Sequence, residues 1–339
     1  AFELSDIPLD GDATQFWFDE SRISDATLAY LARCGLDAST LVVGYEMSAQ
    51  TRAALDRIGA PWVDVWLHPI RFYDDVLFGF RASHPEVHAA FAAFHVPEDQ
   101  FHLYADRIRI QTYKGWKKAE ARIEPGAAVF VGQRMEDKSV CRDGRMLNLL
   151  DFREEFSALA RRTPQLLYQR HPFERTGDEA VLDFVASHPK AELSRHPVYH
   201  LLSSPDLAEV MTISSSVAQE AVYFDKPVTL LHRPVVAFSD PMAPGQFHSI
   251  CQDFVSPHFW AAALAPLTAT RADAPKVGFL DPKDKIRDML GFYWSYRHID
   301  KVEADRFTLA NSRLAAPRPG APAPDAAPDS SHIMMTMMM

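Results

Sequence analysis

The chain has 339 residues, of which 47% are hydrophobic and 11% aromatic, a composition typical of a globular protein with a buried core. Its 35 Lys and Arg against 45 Asp and Glu give a formal net charge of -10. This charge argues against a general nucleic-acid binder, because a phosphate backbone attracts a positive surface. The three cysteines are too few and too scattered for a disulfide framework or a structural zinc site.

No apolar run reaches the roughly 20 residues needed to cross a bilayer, and the first residues show no signal-peptide pattern. The odd number of cysteines also suits a reducing compartment. We therefore expect a cytoplasmic protein whose association with a membrane is at most peripheral.

The first 125 residues alternate between helical and strand patterns, which predicts a Rossmann-like domain. Its predicted elements are a helix at Asp25 to Cys34, a strand at Leu41 to Val43, a helix at Ser48 to Ile58, a strand at Trp62 to Leu67, and helices at Pro85 to Phe94 and Pro97 to Ala121. A polar cluster follows the second strand and contains His68, Arg71, Tyr73, Asp74 and Asp75. Such a cluster is either a connecting loop or a surface that faces a substrate.

The alternation restarts after the turn at Pro125-Gly126, so we place a second domain at residues 126–276. Its predicted strands are Ala127 to Val131, Gln165 to Tyr168, Ala191 to Ser194, Glu209 to Ile213 and Pro227 to Leu231, and its predicted helices are Leu149 to Arg162, Asp178 to Ser187, Tyr199 to Ser203 and Ser216 to Phe224. Five strands with helical crossovers predict a doubly wound α/β sheet, followed by an irregular stretch from Pro234 to Lys276.

A final helix is predicted at Pro282 to Tyr293, within residues 277–314, where it is placed to pack back across both domains. Two Rossmann-like domains with such a crossover helix form the layout of a GT-B glycosyltransferase. The segment 315–339 is rich in Pro and Ala and then in Met, which predicts a disordered tail. We expect its last ten residues to be foreign to the native chain.

Polar clusters follow three predicted strands of the second domain. The first strand is followed by Gln133, Glu136 and Asp137, the second by Arg170 and His171-Pro172, and the fourth by Ser214-Ser215-Ser216, with Glu220 one helical turn further on. Ligands of an open α/β sheet bind beyond the carboxyl ends of its strands. The three clusters are therefore predicted to converge on one crevice.

The residue types in this crevice suit an anionic ligand. Ser214 to Ser216 lie between a strand end and a helix N-terminus, where N–H groups, hydroxyls and the helix dipole favour a phosphate. Alternatively, one serine only caps the helix. His171 and Arg170 can donate to phosphate oxygens, and Glu220 can accept hydrogen bonds from ribose hydroxyls. The alternatives are a structural histidine and a solvated helix residue.

Several common motifs are absent from the sequence. It contains no G-x-G-x-x-G, no G-x-x-x-x-G-K-[ST], no G-x-S-x-G and no H-E-x-x-H. These absences argue against a standard dinucleotide site, a P-loop NTPase, an α/β-hydrolase and a zinc protease. We expect no metal and no cofactor.

The chain resembles bacterial capsule and O-antigen polysaccharide synthesis proteins, and more narrowly β-Kdo transferases of the KpsC and WbbB type. The matching motifs are Gly132-Gln133, Glu136-Asp137, Ser139, His171-Pro172, Ser214-Ser215-Ser216, Glu220-Ala221 and Lys226-Pro227-Val228. The resemblance implies a GT-B fold, a CMP-Kdo donor and a glycan or glycolipid acceptor. It also implies that the protein acts at the inner face of the bacterial inner membrane. His-Pro and Ser-Ser elements also occur in bacterial sialyltransferases, so the CMP-sugar class is better supported than Kdo itself.

The resemblance also implies roles for individual residues. His171 and Ser214 to Ser216 would hold the CMP phosphate, with Gln133, Arg170 and Glu220 on the nucleotide side. Asp137 would be the nucleophile of a retaining transfer, which needs a carboxylate that forms a covalent glycosyl intermediate. Glu136 is its rival, and either carboxylate alternatively caps the next turn. The acceptor-side candidates are His68, Arg71, Asp74 and Asp75.

Two other functional classes stay open at this stage. One is a GT-B-shaped enzyme that uses a UDP-sugar, and the other is a non-catalytic scaffold within a polysaccharide assembly complex. Binding of UDP in preference to CMP would select the first. Binding of a partner without turnover of a CMP-sugar would select the second.

Overall fold

The computed structural model describes residues 23–115, 122–134, 140–142, 145–171, 174, 177–234, 247–268 and 286. Glu136, Asp137, Pro172 and the predicted tail 315–339 lie outside the described residues. The predicted helix at Pro282 to Tyr293 also lies outside them, except for Ile286, which is helical and buried.

Helices and strands alternate along most of the described chain. The helices are α1 (Asp25–Arg33), α2 (Ala49–Arg57), α3 (Pro85–Ala90), α4 (Glu98–Gly115), α5 (Arg153–Arg162), α6 (Glu179–Ala186), α7 (Val198–Ser203), α8 (Val217–Val222) and α9 (Pro257–Ala263). The strands are β1 (Val42–Tyr45), β2 (Trp62–Leu67), β3 (Phe78–Ala82), β4 (Ala127–Val131), β5 (Cys141–Arg142), β6 (Arg145–Met146), β7 (Leu166–Gln169), β8 (Ala191–Leu193), β9 (Leu207–Thr212), β10 (Val228–Leu230) and β11 (His248–Ile250).

Local signals begin and end the first two helices. The Oγ atom of Ser24 accepts from the N–H of Thr27 at 3.1 Å, and Ser48 accepts from Thr51 at 3.0 Å, as N-cap residues do. Gly35 follows α1 with a φ of 75°, in the left-handed region that glycine adopts without strain. Ser24 and Gly35 therefore mark the two ends of α1, close to the bounds predicted for this helix.

The C-terminal half contains a five-stranded sheet in the order β10-β9-β4-β7-β8, in which every pair is parallel. The chain starts at the central strand β4, adds β7 and β8 on one side, and then crosses to add β9 and β10 on the other. This confirms the five predicted strands of a parallel α/β sheet. The strand order reverses between β4 and β9, and such a switch point is where open parallel sheets bind ligands.

Helices cover both faces of this sheet. On one face, Phe156 and Leu159 of α5 and Val185 of α6 pack against the buried residues Ala128 and Phe130 of β4. On the other face, α7 and α8 bury Leu201 and Ala221 in a second cluster. Strand β4 is buried on both faces, which explains why its sequence is a continuous apolar run. Such a run predicts a buried strand from sequence alone.

The N-terminal half has a mixed sheet in the order β1-β2-β3-β11. Only the β1–β2 pair in this sheet is parallel, whereas β3 runs antiparallel to β2 and β11 antiparallel to β3. The connection 68–77 between β2 and β3 is shorter than the dozen or so residues that a parallel crossover needs. The Rossmann-like pattern predicted for residues 1–125 is thus seen in the β1-α2-β2 unit and not in β3.

Residues 247–268 belong with the N-terminal sheet, although the sequence assigned them to the second domain. Strand β11 pairs with β3, and Phe259 of α9 packs in one core with Val63, Phe80 and Ile286. These contacts bury the aromatic face of α9, which so short a helix cannot shield from water by itself. The predicted boundary of the second domain at residue 276 is therefore wrong for this segment, which was also predicted to be irregular.

The two halves share a hydrophobic core. Phe72, from the β2–β3 connection, meets the rings of Tyr199, Tyr223 and Phe224 edge to face, with centroids 6.0, 6.2 and 5.4 Å apart. Helix α4 adds Phe101 to the same cluster. Edge-to-face pairs of buried rings add to the free energy of burial, so the connection 68–77 is packed between the sheets.

A buried carboxylate organises the N-terminal sheet. Asp64 of β2 is fully buried and accepts hydrogen bonds from the N–H of Met47 at 2.8 Å and from Nε1 of Trp66 at 2.8 Å. Arg81 of β3 donates two more, from Nε at 2.9 Å and from a terminal nitrogen at 2.8 Å. Such a charge is tolerated in a core because its oxygens are occupied by donors.

Replacing Asp64 with Asn should therefore lower the free energy of unfolding. The variant leaves Arg81 buried beside a neutral amide, and removal of one partner of a buried pair costs about 3–5 kcal/mol. Urea denaturation measures the loss. The control is Asp106→Asn, which breaks an exposed pair with Arg109 and should change the free energy of unfolding by no more than about 0.5 kcal/mol. Equal effects of the two substitutions would contradict this account.

Candidate functional site

Gln133 and Ser214 form a paired contact between two strand ends. Gln133 follows β4 and Ser214 follows β9, the two strands at the switch point. The N–H of Ser214 donates to Oε1 of Gln133 at 2.7 Å, and Nε2 of Gln133 lies 3.1 Å from the Ser214 hydroxyl oxygen. The structure therefore brings together two of the three predicted polar clusters. We call this edge of the C-terminal sheet the crevice edge.

The three serines differ in how the protein uses them. The N–H of Ser214 is taken by Gln133, and the N–H of Ser215 lies 3.3 Å from the hydroxyl oxygen of Thr212. Ser216 precedes α8, but its side chain makes no capping hydrogen bond. The Ser216 hydroxyl is therefore not a helix cap. The Ser215 hydroxyl oxygen lies 3.4 Å from the N–H of Val217, the first residue of α8, so the alternative that one serine caps the helix holds for Ser215.

Gly132 permits a close approach of two strands beside Gln133. A Cβ atom at Gly132 would lie 2.6 Å from the Tyr168 hydroxyl oxygen and 3.2 Å from the Gln169 carbonyl oxygen. A contact of 2.6 Å is not tolerated between a carbon and an oxygen without movement. Packing therefore favours glycine at position 132, beside Gln133 at the crevice edge.

Arg170 is paired within the protein. Its guanidinium donates to both carboxylate oxygens of Asp178 at 2.7 Å each, and both side chains are largely buried. Bidentate pairs of this kind are strong and geometrically fixed. The charge that the sequence assigned to a phosphate is thus balanced by Asp178, and a contact of Arg170 with a nucleotide stays a prediction.

His171 follows β7 at the same edge and is partly exposed. Its carbonyl accepts a hydrogen bond from the N–H of Glu174 at 3.0 Å, which turns the chain after the strand. The predicted catalytic carboxylates Asp137 and Glu136 lie outside the described residues. Their place after β4, beyond Gln133, follows from chain order alone.

Glu220 lies at the junction of the two halves. Its side chain is buried with 1% exposure, and Oε1 accepts from the N–H of Arg71 at 2.6 Å and from the Tyr199 hydroxyl at 2.8 Å. Glu220 therefore ties α8 and α7 to the connection 68–77. A hydrogen bond from a ribose hydroxyl to Glu220 stays a prediction.

Two of the four acceptor-side candidates are buried. Nδ1 of His68 accepts from the N–H of Ile70 at 3.1 Å and Nε2 lies 3.0 Å from the Ser249 hydroxyl, while burial lowers the pKa of His68 to about 3. His68 is thus neutral, and Nε2 donates to Ser249. Side chains that are enclosed in this way do not line an open groove.

Asp75 is enclosed in the same manner. It is fully buried, and its oxygens accept from the N–H of Val76 at 2.7 Å, from Nε2 of Gln252 at 2.8 Å and from the N–H of Ile286 at 2.8 Å. Asp75 thus fastens two later segments of the chain to the N-terminal sheet. The acceptor-side candidates that keep partly exposed side chains are Arg71 and Asp74. Asp74 accepts from the Tyr104 hydroxyl and lies 3.8 Å from Arg107.

Glu46 is a carboxyl that the sequence reasoning missed. It follows β1 with a φ of 52°, a left-handed conformation that residues other than glycine adopt rarely. Burial raises the pKa of Glu46, although a hydrogen bond from Tyr45 and the charge of Arg71 lower it in part. Because β1 and β2 are parallel, Glu46 and Arg71 follow strands that end at one edge of the N-terminal sheet. The sequence signal was only a polar residue after an apolar strand.

A cavity of about 760 Å³ opens on the N-terminal half and is lined by Tyr73, His95, Gln100, Cys251 and His258, among others. Burial raises the pKa of Cys251 to about 12, so its thiol stays protonated and is a poor nucleophile. The cavity beside Gln133 is only about 10 Å³. We nevertheless place the candidate site at the crevice edge, because it lies at the switch point of the parallel sheet and joins two of the predicted polar clusters.

Neither a metal cluster nor a membrane-spanning helix is found in the described part of the chain. No group of three or more His, Cys, Asp or Glu side chains there is arranged to hold a metal ion. No described helix combines the length and the apolar character needed to cross a bilayer.

Comparisons with known proteins yield only structural similarities. No protein family matches the sequence, and no curated protein matches it. A KpsC β-Kdo 2,4 transferase from Thermosulfurimonas dismutans is 17% identical over 58% of this chain and 70% of its own, with a TM-score of 0.35. A KpsC β-Kdo 2,7 transferase from the same organism is 14% identical over 86% and 90%, with a TM-score of 0.37.

The contacts of Glu220 predict how its variants behave. Glu220→Ala leaves the N–H of Arg71 and the Tyr199 hydroxyl without this acceptor in a buried place, which should cost about 2–4 kcal/mol of unfolding free energy. Glu220→Gln retains an oxygen and should cost less than half as much. Urea denaturation compares them, with Tyr199→Phe as a single-donor control at about 1 kcal/mol. If Glu220→Ala were as stable as the wild type, the hydrogen bonds of Glu220 would not contribute to the free energy of unfolding.

Proposed function

We propose that this chain is a glycosyltransferase that moves a Kdo-type sugar from CMP-Kdo to a growing bacterial surface glycan. The observation that carries the proposal is the paired contact of Gln133 and Ser214 at the switch point of a parallel sheet. A ligand at this point meets serine hydroxyls, a helix start and the chain that leads to Asp137. The motif resemblance supplies the CMP-sugar class.

The donor phosphate would be held by the serine hydroxyls and by His171. The Ser216 hydroxyl is not used as a helix cap, and α8 points its positive end toward the crevice edge. Since the guanidinium of Arg170 is paired with Asp178, binding rests on these neutral donors and on the histidine. The proposal includes no metal ion, because the chain itself supplies groups that stabilise the leaving phosphate.

Transfer with retention would take two displacements. In the first, a carboxylate oxygen of Asp137 attacks the anomeric carbon, the bond from that carbon to the phosphate oxygen breaks, and CMP leaves with the electron pair. In the second, an acceptor hydroxyl attacks the same carbon and releases the Asp137 carboxylate. The hydroxyl proton needs a base. Each displacement inverts the anomeric carbon, so the two together restore the starting configuration.

Glu46 is the described carboxyl best suited to take that proton. It lies at the edge of the N-terminal sheet with Arg71, and burial raises its pKa, which makes its carboxylate a stronger base than an exposed glutamate. Arg71 is anchored through its N–H to Glu220, so this edge is tied to the C-terminal half. We propose that the acceptor glycan lies along Glu46, Arg71 and Asp74. We also propose that the protein acts at the inner face of the bacterial inner membrane.

Titration calorimetry with CMP tests the donor class. The wild-type protein should bind CMP without added divalent metal and should bind UDP more weakly. Ser214→Ala should weaken CMP binding several-fold, since it removes one hydroxyl, and Ser187→Ala, in an exposed turn, should leave the affinity unchanged. Preference for UDP would select the UDP-sugar class, and no nucleotide binding at all would favour a scaffold.

Asp137→Asn tests the mechanism. The variant should bind CMP nearly as the wild type does and should transfer sugar more slowly by several orders of magnitude, because an amide does not form the glycosyl intermediate. Brief exposure of the wild-type enzyme to CMP-Kdo, followed by mass spectrometry, should show a sugar adduct on Asp137. The adjacent Glu136→Gln is the matched control and should keep most activity. An adduct on Glu136 would move the assignment by one residue, and full activity of Asp137→Asn would remove it.

A further inference from the structure

The last residue of β7, Gln169, lies beside the central strand at the crevice edge. It is in register with Val131 of β4, which is in register with Thr212 of β9. Register partners of parallel strands point to the same face of a sheet. Gln169 and Thr212 therefore flank Val131 on one face, in the last rung before Gln133 and Ser214.

The two polar members of this rung differ in how they are satisfied. The Thr212 hydroxyl donates to the Val131 carbonyl at 2.8 Å and lies 3.3 Å from the N–H of Ser215. Gln169 is 7% exposed, and its Oε1 is buried without a hydrogen-bond partner in the described part of the chain. A buried acceptor without a donor lowers stability, and native proteins keep few of them.

The face on which Gln169 lies is the one that meets the N-terminal half. Leu167, two residues earlier in β7, packs in the cluster that contains Phe72 and Tyr199. Side chains two residues apart in a strand share a face, so Gln169 faces the same side as this shared core. An unpaired oxygen thus lies where the carboxyl edge of one sheet approaches the connection 68–77 of the other.

We propose that Oε1 of Gln169 accepts a hydrogen bond from a hydroxyl or amino group of the nucleotide-sugar, an inference that rests on the proposed function. A neutral amide oxygen only accepts hydrogen bonds, so it cannot bind a phosphate or a carboxylate, which carry no hydrogen at neutral pH. The donor is then a hydroxyl of the Kdo sugar, a hydroxyl of the ribose or the amino group of the cytosine. Because no described group holds Oε1, the amide can turn toward an entering donor without losing a hydrogen bond at this atom.

This role predicts opposite effects on stability and on binding. Gln169→Met keeps the length of the side chain and removes the unpaired oxygen, so the free protein should melt about 1–3 °C higher. The same variant leaves a buried donor of the ligand without an acceptor, and its affinity should fall by about tenfold. A residue with a purely structural hydrogen bond would lose stability instead.

A control with the same kind of atom separates the two effects. The Ser203 hydroxyl oxygen is also buried without a partner in the described chain, but it lies at the end of α7, just before β9 begins at the opposite edge of the sheet. Ser203→Ala should raise the melting temperature and leave ligand affinity unchanged.

The experiment combines thermal unfolding with calorimetric titration of CMP, UMP and CMP-Kdo into the wild type, Gln169→Met and Ser203→Ala. Weaker binding of CMP, but not UMP, by Gln169→Met identifies the cytosine amino group, which UMP lacks. Equally weaker binding of CMP and UMP identifies a ribose hydroxyl, and unchanged CMP binding with weaker CMP-Kdo binding identifies a hydroxyl of Kdo. Any of these results, with a higher melting temperature, supports the inference.

Other outcomes overturn it. Equal affinity of Gln169→Met and the wild type for all three compounds shows that Oε1 meets no ligand. A lower melting temperature or a failure to fold shows that Oε1 already has a partner in the free protein. If the wild type binds neither CMP nor CMP-Kdo, the proposed function itself fails, and the inference fails with it for that separate reason.

Discussion

The carboxylate of Glu220 is the interaction on which the arrangement of the two halves depends. It is buried at 1% exposure, and a charge in such a place is stable only while donors surround it. Two of those donors are the N–H of Arg71 and the Tyr199 hydroxyl. The connection 68–77 of the N-terminal sheet must therefore sit against α7 and α8, which fixes the distance between the edges that flank the crevice.

The shared aromatic core makes this junction rigid. Phe72 contacts rings from α7 and from the turn after α8, and Phe101 contacts Tyr223 at 5.4 Å between centroids. Interfaces between domains move freely when they are small and polar, whereas this one is apolar and forms one cluster with buried residues of the C-terminal sheet. The geometry at Arg71 is therefore held in place before any ligand arrives, as a preorganised site requires.

The C-terminal sheet could be predicted from sequence because its signals are local. Each strand there is a short apolar run followed by a polar cluster and a helix, and β4 and β7 are buried on both faces. In the N-terminal half, β3 pairs with β2 across a short connection and with β11 from far along the chain. Periodicity carries no information about such distant pairing, so β3, β11 and α9 were not predicted.

For the candidate site, the sequence could predict which residue types follow each strand and that these strand ends converge. The convergence of Gln133 and Ser214 follows from parallel topology, because strand ends share an edge. Burial does not follow from it: His68 and Asp75 have the same chemistry as ligand-binding residues, yet both are enclosed by later segments of the chain. Glu46 escaped notice because its backbone conformation and raised pKa arise only in the folded protein.

The pairing of Arg170 changes the expected character of the site. A bidentate bond to the buried carboxylate of Asp178 holds the guanidinium at the end of β7, where the sequence had suggested a phosphate contact. Under the proposed function, the serine hydroxyls, a helix start and His171 then remain to meet an anion at this edge. Interactions of neutral donors depend less on dissolved salt than long-range attraction between full charges. Nucleotide binding at this crevice would therefore select by shape and hydrogen bonding more than by net charge.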